Sequence, residues 1–177
     1  SMDALETYFV TQGREWERYA WIKARALTGD AHQELASIAR PFVYRKYLDY
    51  GAIAAMRDLH AQVRAEVARR ELADHIKLGP GGIREIEFIA QAYQLIRGGR
   101  DADLRARPTL QILDFLAQKG ILEVAAVHSL SAAYVFLRRL EHRLQYLDDA
   151  QTHSLPLDAS DRANLAKAMG FRNWNAF

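Results

Sequence analysis

The chain has 177 residues, a formal net charge of +2, 50% hydrophobic residues and no cysteine. That length suits one domain with a sizeable core, or two small ones, and the near-neutral charge gives no electrostatic case for nucleic acid or an anionic membrane as partner. The missing cysteine removes disulfides, thiolate zinc sites and cysteine nucleophiles and fits a reducing, cytoplasmic setting, while no apolar run reaches the ~18 residues of a membrane span.

Glycine and proline are few and clustered, and between the clusters the apolar residues recur at spacings of three and four. The pattern predicts helices over 3–11 and 14–27, and then over 32–50 with an interruption or kink at Pro41, which lacks an N–H and clashes with the preceding turn. A long amphipathic helix is predicted over 52–72, with Ile53, Met56, Leu59, His60, Val63 and Val67 on one face and Arg57, Arg64, Arg70 and Glu71 on the other. Further helices are predicted over 83–97, stopping at Gly98–Gly99, over 108–119 with Pro108 in its first turn, over 123–147 as one long helix or a pair, and over 158–169. No stretch alternates apolar and polar residues well enough to make a strand. The expected fold is all-α: an irregular multi-helix array forming a single domain over 1–177, with a sub-boundary near 98–107. The longest linkers fall at 98–107 and 148–157.

The least ordinary stretch is "KLGPGGIREIEF", Lys77 to Phe88, with Gly79, Pro80, Gly81 and Gly82 in four consecutive positions. On a helical wheel starting at Ile83, Ile86, Ile89, Ala90, Tyr93 and Ile96 fall on a broad apolar arc, and Arg84, Glu87, Gln91 and Gln94 on a narrow polar one. Glu87, Gln91 and Gln94 read as a solvated face. Glu85 is the misfit, a carboxylate inside the apolar zone that must be paired, aimed at a cleft, or snorkelling at the helix end. A glycine-rich turn before a helix can present backbone N–H groups to an anion, with the helix dipole adding positive potential. Lys77, Gly81, Gly82 and Arg84 are the candidate nucleotide or phosphate contacts, and Glu85 and Glu87 the candidate cleft-lining carboxylates. The order of residues matches neither a P-loop nor a dinucleotide fingerprint, so a purely structural turn is the competing reading.

Other clusters say less. The six histidines show no H-x-x-x-H or H-E-x-x-H spacing, so no metal site is expected. Arg138, Arg139, His142 and Arg143 read as a solvated basic face partly paired with Glu141, and Trp16 and Tyr19 as core.

Four blocks, "GREWERYAWIKAR", "RPFVYRKYLDY", "IKLGPGGIREIEFIAQAYQLIRGGR" and "FLRRLEHRLQYLDDAQTHSLP", together resemble the glutamine synthetase adenylyltransferase/adenylyl-removing enzymes. They occur in that family's order and span residues 13–156. The resemblance implies an enzyme with two nucleotidyltransferase units in one chain. One attaches AMP from ATP to a tyrosine of glutamine synthetase, and the other removes it by phosphorolysis, releasing ADP. "GGIREIEF" is similar to the N-terminal, adenylyl-removing half, since the transferase half typically reads Asp where Glu85 stands. The family's Mg²⁺-binding G-S-D-x-D and V-D-x-R-L-R-P signatures are absent from this sequence. The resemblance therefore implies the helical part that follows a nucleotidyltransferase sheet domain, supporting a removing site and inactive alone. It implies Mg²⁺ and ATP, ADP or phosphate for the intact enzyme and none for this segment. The implied partners are glutamine synthetase, a PII signalling protein and the sheet domain; a docking module for either protein is the alternative role. Glu85 would then face the cleft or form a structural pair with an arginine such as Arg138 or Arg139.

Overall fold

The computed structural model describes residues 1–47, 50–69, 72, 74–146 and 152–177; the side chains of 50, 52, 53, 55, 56 and 59 are not described. Among the described residues there are eight α-helices: α1 Met2–Thr11, α2 Glu15–Trp21, α3 His32–Val43, α4 Tyr50–Arg69, α5 Ile83–Arg97, α6 Thr109–Gln118, α7 Val124–Gln145 and α8 Ala159–Ala168. Short 3₁₀ turns occupy Asp103–Arg105 and Trp174–Ala176. No strand occurs among these residues, only one isolated antiparallel bridge between His75 and Ser154. The all-α expectation holds.

Local chemistry explains several of the helix starts. The Ser1 hydroxyl accepts from Ala4 N at 3.3 Å to open α1, and Asp158 accepts from Ser160 N at 2.8 Å and Asp161 N at 3.1 Å to open α8. At α2 the Glu17 carboxylate reaches back to Arg14 N at 2.7 Å. The segment 123–147 forms one continuous helix from Val124 to Gln145; Leu147 lies outside the described residues.

Two predicted helices are too long. α2 stops at Trp21 rather than at residue 27, because the Lys23 and Ala24 amides turn back to the Ala20 and Trp21 carbonyls. The Lys23 ammonium is then held by the Arg107 carbonyl and the Thr109 hydroxyl. α3 stops at Val43 rather than at residue 50: Pro41 lies inside it, and the helix runs only two residues beyond. A proline deletes one backbone donor and crowds the turn before it.

The chain divides into two compact units. Unit one comprises Ser1–Gln62 and Phe88–Val124. Its core gathers Phe9, Tyr19, Ile22, Phe42, Val43 and Leu95. Phe9 stacks on Phe42 with ring centroids 4.2 Å apart and takes the edge of Trp21 at 5.1 Å. Arg18 is only 1% exposed, paired with Glu15 and donating to the Val43 carbonyl. Trp16, expected in the core, is 56% exposed: Tyr19 and Trp21 face the core cluster, and Trp16 does not join them. Gln91 and Gln94, expected on a solvated face, are buried at 2% and 0%. The Gln94 amide donates to the carbonyls of Leu104 and Ala106 at 2.9 and 2.7 Å, so Gln94 is covered by the segment that follows α5.

Unit two comprises Val63–Glu87 and Ala125–Phe177. Ile76, Leu140, Leu144 and Leu165 form its core, with Phe136, Trp174 and Phe177 packed against them. The Arg162 guanidinium lies 5.2 Å from the Trp174 ring centroid. The part of the expected linker at 148–151 lies outside the described residues.

Candidate functional site

The glycine turn belongs to unit two, and its backbone is held from within. Gly81 takes a φ of +72°, a conformation that favours glycine. A Cβ on Gly82 would meet the carbonyl oxygens of Ile76, Gly79 and Lys77 at 2.7, 2.8 and 2.9 Å. The N–H groups are engaged one after another. His75 Nδ1 accepts from Lys77 N at 3.3 Å and Leu78 N at 3.1 Å. Gly79 N donates to His75 O, Gly82 N to Gly79 O, Ile83 N to Ile76 O and Arg84 N to Lys77 O. The amides of Gly81 and Gly82, candidate anion contacts, thus already have partners inside the chain.

Gly81 N completes the set by donating to Glu85 Oε2 at 2.9 Å. This is a local reason for a carboxylate on the apolar arc: one turn into α5, it reaches back over the turn and sits near the positive end of the helix dipole. Glu85 Oε1 lies 3.8 Å from Arg64 Nε of α4, not beside Arg138 or Arg139. Both residues line a cavity of about 310 Å³, with Val67, Ala68, Leu72, Leu78 and Pro80 also in its walls. Glu87 pairs with Arg84 at 3.6 Å and accepts from the Tyr134 hydroxyl at 3.2 Å. Arg84 is exposed and Glu87 half-buried. The structure thus brings Gly81, Glu85 and Arg64 together, and Arg84 and Glu87 as a second pair.

Lys77 points elsewhere. Its ammonium lies 3.6 Å from Glu141 of α7. Glu141 is 3% exposed and also meets Arg138 at 2.7 Å and His153 Nε2 at 3.1 Å. The basic face of α7 is therefore anchored by a buried carboxylate, while Arg139, His142 and Arg143 are exposed as expected. The His75 and His153 rings stack with centroids 5.3 Å apart. Burial, reinforced by the nearby His153, pushes the His75 imidazole below its ordinary pKa. A neutral Nδ1 is also what its two accepted hydrogen bonds require.

The sequence pattern does not point to Arg64, Tyr134, His75 or Glu141 as site residues. His75 was within reach of sequence reasoning, since a side chain two residues before a turn can accept from its amides. Arg64 and Tyr134 stand 21 and 47 residues from their carboxylates, too far for a local pattern. The donor set does not fit Mg²⁺: Glu85 and Glu87 are committed to separate partners, and no three His, Asp or Glu side chains converge as metal ligands among the described residues. No helix among those residues is long and apolar enough to cross a membrane.

Two family models match the chain. One, described as GlnD PII-uridylyltransferase, covers residues 57–177, more than half of it. The other, described as glutamate-ammonia ligase adenylyltransferase, covers residues 1–40. The bifunctional glutamine synthetase adenylyltransferase/adenylyl-removing enzyme of Aromatoleum aromaticum is 63% identical over 177 residues, all of this chain and 19% of that protein. The protein of the same name from Chromobacterium violaceum is 64% identical over 177 residues, again all of this chain and 20% of the relative. That of Nitrosomonas eutropha is 62% identical over 180 residues, all of this chain and 19% of the relative. The chain thus spans about one fifth of the length of these relatives. It belongs to the family of the GlnD PII-uridylyltransferase model, and the resemblance of its four blocks to glutamine synthetase adenylyltransferase/adenylyl-removing enzymes extends along its entire length.

Proposed function

We propose that this chain is the helical portion of a cytoplasmic, bifunctional enzyme that adenylylates and deadenylylates glutamine synthetase, and that it supports the adenylyl-removing site. The observation that carries this is similarity over the whole chain to relatives whose names state both activities. The groups that bind Mg²⁺, ATP, ADP and phosphate belong to a nucleotidyltransferase sheet domain outside these residues, which packs against this array. Gly81, exposed and with open space about it, allows close backbone approach to that domain, while Gly82 packs against its own turn. Glu85 and Glu87 hold Arg64 and Arg84 in place, so that two guanidinium groups face the phosphate-bearing cleft. Lys77 braces the turn from α7 through Glu141. Glu85 is in this reading a positioning residue, not the reacting group.

The test is turnover by the 177-residue chain alone. Incubated with adenylylated glutamine synthetase, phosphate and Mg²⁺, it should release no ADP; sustained release would place the catalytic groups within these residues and overturn the assignment.

A second reading is a docking module for glutamine synthetase or a PII signalling protein. The description of the matching family model, which names PII, favours it. Stoichiometric capture of purified PII or glutamine synthetase by the isolated chain supports this reading, and its absence for both removes it.

A further inference from the structure

Unit one holds a second cavity, of about 440 Å³, that shares no residue with the turn at 77–87. Its apolar walls are Trp21, Leu35 and Ala39, and three basic side chains reach it: Arg25, His32 and Arg107. Among the described residues no carboxylate lines it. Among the described residues neither guanidinium makes an ion pair. The fold places these cations together by a specific device. α2 ends at Trp21, and the Lys23 ammonium then binds the Arg107 carbonyl and, at 3.3 Å, the Thr109 hydroxyl. That tether fixes the segment carrying Arg25 beside the segment carrying Arg107.

We infer that this cavity binds a small organic oxyanion, a phosphate or carboxylate group joined to an apolar body. Two guanidinium groups without acidic partners among the described residues present N–H donors to an oxyanion, which a carboxylate or phosphate can accept bidentately. The volume is that of a small-molecule site, larger than a bare hydrated ion fills. The indole and aliphatic walls take the apolar body, and the small side chain of Ala39 leaves room for it.

The experiment uses the 177-residue chain labelled with ¹⁵N and four probes: phenyl phosphate, phenylacetate, inorganic phosphate and phenol. Phenyl phosphate, phenylacetate or both should shift the amides of residues 24–26 and 35–39 saturably, and which of them does so identifies the oxyanion. Inorganic phosphate and phenol should bind at least 10-fold more weakly. The Arg25→Gln/Arg107→Gln double variant, with an unchanged helical circular dichroism spectrum, should weaken the aromatic anions at least 10-fold. The proposal is overturned if neither aromatic anion gives saturable shifts there, if inorganic phosphate binds as well as they do, or if the double variant binds them unchanged. Concentration-dependent shifts of the same amides without any probe would assign the cavity to contacts between copies of the chain, and would also overturn it.

Discussion

Helix α5 starts after Gly81–Gly82 and stops at Gly98–Gly99, and the two glycine pairs are held in different ways. After the helix, Gly99 fits against backbone and Gly98 against an aromatic side chain. A Cβ on Gly99 would collide with the Arg45 carbonyl, and one on Gly98 would lie 2.6 Å from Cδ1 of Tyr44. Arg105 donates to the Gly98 and Gly99 carbonyls at 2.6 and 3.2 Å, and Arg100 to the Lys46 carbonyl at 3.0 Å. These supports do not titrate, because arginine stays charged at any ordinary pH. Before the helix, the supports are titratable side chains: His75 accepting two amides, Glu85 accepting a third, and Lys77 tied to Glu141. One break is a packing joint. The other is a turn held by hydrogen bonds and an ion pair from side chains.

The largest expected effect separates the two breaks by space. Gly99→Ala should destabilise the fold by about 3 kcal/mol or more, since only backbone can move to admit the methyl group. Gly82→Ala should cost about 2 kcal/mol, and Gly81→Ala, with open space but a positive φ, about 1 kcal/mol. Urea denaturation of the three variants gives the order directly; a reversed order would break the comparison.

Glu141→Ala should cost about 2–3 kcal/mol, because it leaves Lys77, Arg138 and His153 around an emptied, buried acceptor. The loss should appear as faster amide exchange at Ile83 and Arg84, with Gly98 and Arg100 unaffected. Equal acceleration at both breaks would show that Glu141 supports the whole fold and not the turn.

The smallest effect is a pH dependence. The folded-state pKa of His75 is depressed, so its contribution is fully present above the unfolded value of about 6.5 and is lost as pH falls below it towards the folded value. The unfolded chain binds more protons there, so stability rises with pH across that window. His75→Asn keeps an acceptor for the Lys77 and Leu78 amides and removes the titration. Its stability should fall less steeply than wild type from pH 7 to pH 5; identical slopes would remove His75 from the account.

Much of this was legible in the sequence where the determinants are local. Clustered glycines and prolines marked the breaks, and the wheel put Ile83, Ile86 and Ala90 in the interior, where they lie. Glu85 stands out of place on the wheel, and its bond to Gly81 N is a first-turn contact. What local periodicity could not see came from distant chain. Gln94 is buried because the carbonyls of Leu104 and Ala106 take its amide. Arg64 meets Glu85 because α4 passes it, and α2 ends early where Lys23 finds Arg107 and Thr109.

The central claim is that Glu85 organises a phosphate-facing arginine without carrying the fold. Glu85→Gln in the intact enzyme tests it most directly, because the amide can still accept from Gly81 N and Arg64 is an exposed partner worth at most about 1 kcal/mol. The account predicts an unchanged melting temperature, a 10- to 1000-fold loss in phosphorolytic removal of AMP with a raised KM for phosphate, and an unaltered adenylylation rate. A lowered melting temperature with both activities falling together, or no change in either, would contradict it.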